Sequence, residues 1–192
     1  PAGVFVEPFE LTLSGPPAEQ LRVTLDGSEP TEDSPPYVGP IVISGTTQVR
    51  VAIVTEDDVR RTNATYLRVN DDVAGFSSEL PVVAIDSMSF DVDSEAFLDD
   101  RPFRPLSVVV IEDASAGLAV NATWAGPGGM HVRGSSSAQY DKKQYTFETR
   151  DTRDRDLDVP LLGMPADSDW VLHAPHSDKT LMRNAMIYGW SN

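Results

Sequence analysis

Residues suited to binding an anion are concentrated between positions 131 and 148. The stretch contains Arg133, the consecutive serines Ser135, Ser136 and Ser137, and two of the chain's three lysines, Lys142 and Lys143. Guanidinium and ammonium groups make a site for phosphate when they converge with hydroxyl and backbone N–H donors. This stretch is therefore our candidate site for a phosphate-bearing ligand.

A β-hairpin is expected to position these side chains. Residues 130–133 have the pattern of a short half-buried strand, and residues 134–141 that of a polar loop. Lys143, Tyr145 and Phe147 then alternate with polar residues at the strand period of two. The same pattern also fits a plainer alternative, in which the serines form a turn, the lysines are solvated and Arg133 pairs with a carboxylate.

A second group of cations lies near the end of the chain. Ser177 is placed to cap a helix that extends to about Tyr188. On such a helix Lys179 and Arg183 are four residues apart and project together, either toward one anion or into solvent beside acidic groups. The inward face of the helix is expected to consist of Leu181, Ala185 and Tyr188.

Patterns of metal ligands are weak in this sequence. Asp91, Asp93 and Glu95 alternate like the start of a calcium loop, but the glycine and closing glutamate of that loop are missing. His173 and His176 are separated by a proline that prevents a shared helical face, and no third ligand lies nearby in sequence. We therefore assign no metal ligand and no catalytic residue from the sequence.

The overall composition excludes several classes of function. Thirty acidic residues against fifteen basic ones give a net charge of −15, which repels nucleic acid and anionic lipid. No run of 18 apolar residues is present to span a membrane, and the chain has no cysteine for a disulfide or a thiolate metal site. The chain begins at Pro1, so we expect that any leader has been removed.

Two domains are expected from the patterning. Residues 1–70 show short apolar–polar alternations separated by turn signals such as Asp26-Gly27, which is typical of an antiparallel β-sandwich. Residues 71–80 are polar and small and are expected to be a linker.

Residues 81–192 form the second domain, with strands at 80–85, 106–112, 121–124 and 170–174. Its glycine-rich segment 125–129 lacks the spacing of a Walker loop and is expected to be a turn.

The first domain resembles a known module. Residues 21–31, followed by Tyr37, Pro40-Ile41 and residues 46–52, resemble the fibronectin-III-like module found beside chitobiases and other secreted carbohydrate-active enzymes. The resemblance extends over residues 3–69. It implies an accessory spacer or a support close to a sugar, without chemistry of its own.

Four motifs of the second domain occur in a specific order: residues 132–137, 142–145, 168–172 and 177–184. As a set they resemble the CotH family of secreted and spore-coat atypical protein kinases, over residues 80–192. The resemblance implies a partial α+β kinase-like domain that binds ATP with Mg or Mn and a protein substrate, outside the cell or at its surface. The chain as a whole would then be mainly β with some α.

The resemblance also implies roles for the candidate residues. Lys143 or Lys142 would be the nucleotide lysine, and Arg133 a supporting phosphate contact. Ser135, Ser136 and Ser137 would form the covering loop, and Arg183 is a further candidate cation. We prefer Lys143 as the nucleotide lysine because it shares a face of the strand with Tyr145 and Phe147. If that face belongs to the hydrophobic core instead, Lys142 would be the lysine at the nucleotide pocket.

The family pattern continues past the motif at 177–184, and its metal-binding and catalytic acids lie in that continuation. We therefore expect this chain to be the amino-terminal part of a CotH-like phosphotransferase that is not active alone. The alternative is a non-catalytic surface protein that binds carbohydrate or cell wall, with a cell-surface polysaccharide as its partner.

Overall fold

The computed structural model describes residues 2–15, 20–55, 58–97 and 100–191, without the side chains of residues 95–97 and 191. The first domain holds six strands: β1 (Gly3–Phe5), β2 (Phe9–Leu11), β3 (Leu21–Thr24), β4 (Ile41–Ile43), β5 (Thr47–Val54) and β6 (Val59–Arg68). A one-turn helix, α1 (Asp71–Ala74), follows. The second domain holds β7 (Val82–Asp86), β8 (Arg104–Ile111), β9 (Trp124–Arg133), β10 (Gln144–Thr149), β11 (Asp169–Leu172) and α2 (Arg183–Ser191).

The first domain is a β-sandwich, as the sequence predicts. One sheet has the order β1-β6-β5-β3 and faces a two-stranded sheet of β2 and β4. All pairs are antiparallel except β1 with β6. Apolar residues at alternate strand positions form its core, among them Leu21, Val23, Ile43, Val49, Val51 and Tyr66.

The second domain is built on one antiparallel sheet with the order β11-β10-β9-β8-β7. One face of this sheet carries the main core, which includes Leu106, Val108, Val110, Val132 and Phe147. Two short 3-10 helices, Val92–Phe97 and Ser136–Gln139, contribute Val92 and Ala138 to that core. No helix among the described residues is long and apolar enough to cross a membrane.

The two domains contact each other through a third apolar cluster. Leu67 and Val69 pack against Val109, Ile111 and neighbouring residues on the second face of the five-stranded sheet. Two polar residues of β5, Gln48 and Arg50, are also buried at this contact. The Gln48 side chain donates a hydrogen bond to the Leu106 carbonyl oxygen at 2.6 Å. The Arg50 guanidinium donates to both carboxylate oxygens of Asp154. Residues 71–80, expected to be a linker, therefore run beside a direct contact between the domains.

Two predictions about the second domain are wrong. Residues 125–129 are not a turn but lie inside β9, and 121–124 contribute only Trp124 to that strand. The glycines are needed there because a β-carbon at Gly126 would collide with the Trp124 ring, and one at Gly128 would meet Phe147 and the Glu148 carbonyl oxygen. Glycine in this strand thus makes room for large neighbouring side chains.

The C-terminal helix also differs from its prediction. It begins at Arg183 and not after Ser177, and Leu181 has a φ of +59° that is incompatible with a continuous helix. Asp178 holds the preceding turn instead: its carboxylate accepts hydrogen bonds from the Thr180 hydroxyl and from the Arg183 amide. The residues expected to face inward are exposed.

Candidate functional site

The predicted hairpin is present. Strands β9 and β10 pair antiparallel with Arg133 opposite Gln144. Arg101 fixes the end of β9, because its guanidinium donates to the carbonyl oxygens of Val132 at 3.2 Å and Gly134 at 2.6 Å. This arginine had no signal in the sequence that linked it to the hairpin.

The serine loop is compact. Gly134 has a φ of +94°, and a β-carbon at this position would collide with the Ser137 hydroxyl. Ser135 and Ser136 are exposed at the start of the 3-10 helix Ser136–Gln139, where the Ser135 side chain makes no capping hydrogen bond. The hydroxyls of Ser135 and Ser136 therefore face solvent, whereas Ser137 is part of the packing of the loop.

The two candidate lysines have different surroundings. Lys143 is half-buried, and its Nζ lies 3.9 Å from Asp93 Oδ2 and donates to the Tyr140 carbonyl oxygen at 3.4 Å. Lys142 is exposed and makes no ion pair or hydrogen bond within the described part of the chain. The structure thus places Lys143, and not Lys142, in a fixed position.

Asp93 joins Lys143 to Tyr145. The Tyr145 hydroxyl donates to Asp93 Oδ1 at 2.6 Å, while the other carboxylate oxygen faces Lys143. Burial raises the pKa of Tyr145, and the hydrogen bond to Asp93 raises it further. Sequence reasoning missed this role, because Asp93 lies 50 residues before its lysine and matched only a partial calcium pattern.

The calcium pattern itself is not assembled. Asp91 accepts a hydrogen bond from the Ser94 amide, Asp93 is used by Lys143 and Tyr145, and the Glu95 side chain lies outside the described residues. Among the side chains described, no three His, Cys, Asp or Glu residues are grouped to hold a metal. The Mg or Mn that the resemblance implies stays a prediction, because the resemblance places its acidic ligands after the motif at 177–184.

Arg133 and Lys143 do not share a face of the sheet. Arg133 is opposite Gln144, so the alternation of the pleat places it on the face opposite to that of Lys143 and Tyr145. On its own side, Gln144 lines a small pocket of about 210 Å3 that also includes Arg183. The candidate cations are thus divided between the two faces.

The small pocket is rich in hydrogen-bonding groups. The Asn184 amide lies 2.9 Å from Nε2 of His173, and Nδ1 of the same ring lies 3.3 Å from Gln144 Oε1. A neutral ring with its proton on Nδ1 satisfies both contacts. Arg183, beside it, is largely exposed and lies 3.5 Å from the Asp178 carboxylate.

Two further residues of this region are His176 and Lys179. His176 stacks on the Tyr140 ring at 4.7 Å, so it packs against the hairpin loop. Lys179 precedes α2 and donates to the His176 carbonyl oxygen at 3.3 Å. The expected projection of Lys179 and Arg183 from one helix is therefore wrong.

Comparisons with known proteins agree with both resemblances. Residues 1–65 match the family model for the chitobiase/beta-hexosaminidase C-terminal domain. Residues 130–190, which contain the hairpin and the 173–184 pocket, match the family model for the CotH kinase protein. No match was found among curated proteins, and none among solved structures. The chain therefore joins a region similar to a chitobiase/hexosaminidase C-terminal domain to a region similar to CotH kinase proteins.

Proposed function

We propose that the chain forms the phosphate-binding part of a CotH-like phosphotransferase that uses ATP and a protein acceptor, outside the cell or at its surface. The observation that carries this proposal is the Asp93–Lys143 pair at the loop end of the hairpin. Lys143 and the loop end of the hairpin lie within the segment that matches the CotH kinase model, and Asp93 lies before it.

A lysine that binds phosphate needs a defined position and free N–H donors. At 3.9 Å, Asp93 positions the Lys143 ammonium while leaving hydrogen-bond donors available, and Tyr145 keeps the carboxylate in place from its other oxygen. In protein kinases a strand lysine contacts the nucleotide phosphates only when an acidic residue from a neighbouring element holds it. Asp93, from the 3-10 helix Val92–Phe97, supplies such a carboxylate here.

Arg183 lies on the opposite face of the sheet and offers a separate site for an anion. The pocket beside it, at about 210 Å3, is below the usual range of about 300–1,000 Å3 for small-molecule sites. It therefore suits a single anionic group more than a nucleotide. Arg183 and Asn184 would provide its charge and its amide donor.

ATP binding by the chain, measured by isothermal titration calorimetry, tests this function. We expect Lys143→Ala to weaken binding about tenfold or more, because the positioned charge is lost, and Lys142→Ala to change it by less than about twofold. The two variants remove the same side chain from adjacent positions and form a matched pair. Equal losses in both variants, or no ATP binding by the parent chain, would contradict the proposal.

The second candidate is a non-catalytic surface or cell-wall protein. The match of residues 1–65 to a chitobiase/beta-hexosaminidase C-terminal domain favours it. Binding of cell-wall or chitin fragments by a chain that binds no ATP would support this candidate in place of the first.

A further inference from the structure

A cleft of about 880 Å3 lies between the two domains. The sandwich contributes the turn at residues 25–28 and part of β5, and the second domain contributes the segment after β7 together with parts of β8 and β9. Its volume falls within the range of about 300–1,000 Å3 that is typical of small-molecule sites. None of the candidate phosphate-binding residues lines it.

The charge in this cleft is negative. The two arginines that line it are paired, Arg50 with Asp154 and Arg150 with Glu148. Asp26 and Asp86 line it too, but they accept hydrogen bonds only from uncharged donors, Ser28 and the Met88 amide. Hydrogen bonds from the Ser28 hydroxyl and amide hold the pKa of Asp26 below its usual value, so this carboxylate is charged at neutral pH. An anionic ligand is therefore disfavoured.

An aromatic ring is exposed in the same cleft. Phe90 is 42% exposed, and the guanidinium of Arg104 lies 5.5 Å from its ring centroid. The ring follows two residues with left-handed backbone, Met88 with φ +50° and Ser89 with φ +76°. Such backbone costs free energy and persists only where the surrounding structure holds it. Pro105 and Pro127 add further apolar surface to the cleft.

A hydrogen-bond donor in the cleft wall also lacks a partner. Arg50 is 2% exposed, and its Nε–H has no hydrogen bond to any described residue, although its terminal nitrogens bind Asp154. Buried polar groups are usually paired. This Nε–H is fully buried, so a ligand does not reach it, and the groups that the cleft offers are two carboxylate acceptors and an exposed ring.

We propose that this cleft binds a short oligosaccharide of neutral or amino-substituted sugars. Sugar hydroxyls donate hydrogen bonds, so one ligand serves the carboxylates of both Asp26 and Asp86. The apolar C–H face of a sugar ring packs on an aromatic ring such as Phe90. The site goes beyond phosphate transfer, and it requires neither Lys143 nor Arg183.

The test titrates the whole chain with three probes: the trimer of N-acetylglucosamine, the trimer of glucosamine, and trilysine as a probe of charge alone. We expect at least one sugar trimer to bind and trilysine to bind more weakly. Phe90→Ala should weaken sugar binding about tenfold, whereas Phe76→Ala, which removes an exposed ring outside the cleft, should leave it unchanged.

A second pair of variants tests the carboxylate. Asp86→Asn keeps an acceptor for the Met88 amide but removes the charge, and we expect it to weaken binding severalfold. Asp72→Asn, exposed in α1, is its control. The proposal is overturned if no trimer binds, if Phe90→Ala and Phe76→Ala behave alike, or if trilysine binds as tightly as the sugars. Lys143→Ala should retain sugar binding, so this result is separate from the outcome of the ATP experiment.

Discussion

At the scale of single residues, Lys142 and Lys143 show how position decides the use of identical side chains. Lys143 lies on the face of Tyr145 and meets Asp93, whereas Lys142 points to solvent. The preference for Lys143 rested on its alternation with Tyr145 and Phe147 and on the resemblance to CotH kinases. Its carboxylate partner comes from a distant element, so the spacing of residues did not indicate it.

The backbone of Gly134 and its contact with Ser137 both disfavour a side chain at this position. We expect Gly134→Ala to lower the free energy of unfolding by about 1–3 kcal/mol, because alanine rarely adopts a φ of +94° and its β-carbon would meet Ser137. Urea unfolding followed by circular dichroism measures the change.

Gly163→Ala is the matched control for this substitution. Gly163 also has a positive φ, of +74°, but a β-carbon there has open space around it. Its substitution should cost about 1 kcal/mol and isolates the backbone contribution. A Gly134 variant no less stable than the Gly163 variant would show that the Ser137 contact is unimportant.

At the scale of elements, β9 and α2 both departed from their predictions. Strand β9 accommodates its glycines because the strands on either side hold it in a sheet, which compensates for their low strand propensity. Helix α2 differs from β9 in its packing. Its apolar side chains, including Met186, Ile187 and Trp190, are exposed. Its nine residues therefore have little packing to stabilise them.

We expect the amide hydrogens of α2 to exchange with solvent much faster than those of the buried strand β8. Isolated helices shorter than about 12–15 residues are marginal in water. Hydrogen–deuterium exchange measured by mass spectrometry compares the two elements. Asp178→Ala should speed exchange in α2 further, because the Arg183 amide loses its acceptor, and should leave β8 unchanged. Equal protection of α2 and β8 would show that the helix has a stabilising partner.

In the molecule as a whole, the sandwich packs directly against the second domain. The face of its sheet that carries Gln48, Arg50 and Thr65 would be solvated in an isolated module, yet all three residues are buried. The second domain supplies the Leu106 carbonyl oxygen as the partner of Gln48 and Asp154 as the partner of Arg50. The resemblance implied an accessory spacer, and this interface indicates a closer structural role for the module.

We therefore expect the two domains to unfold together. All three tryptophans of the chain, at 124, 170 and 190, lie in the second domain, so their fluorescence reports on that domain. Val49→Ala makes a cavity in the core of the sandwich and should lower the free energy of unfolding seen by this fluorescence by about 2 kcal/mol.

Val42→Ala is the matched surface control in the same domain. Val42 is exposed on β4, and its substitution should change the stability by no more than about 0.5 kcal/mol. An unchanged tryptophan transition in the Val49 variant would mean that the domains unfold independently.

Local sequence patterns were enough to predict the local features of this protein. Alternation of apolar residues gave the sandwich, the mainly β composition and the hairpin, because a half-buried strand imposes a period of two on its own residues. Turn chemistry likewise marked Gly27, whose φ is +80°. The motifs at 132–137, 142–145, 168–172 and 177–184 pointed to the family that the model match supports.

Contacts between distant groups could not be predicted from these local patterns. The Asp93–Lys143 pair, the Arg50–Asp154 pair and the cleft between the domains each join residues 50 or more positions apart. Such contacts depend on the order of strands and on the packing of sheet faces, which a local pattern does not encode. The same reason explains why Arg133 and Lys143, close in the sequence, lie on opposite faces of one sheet.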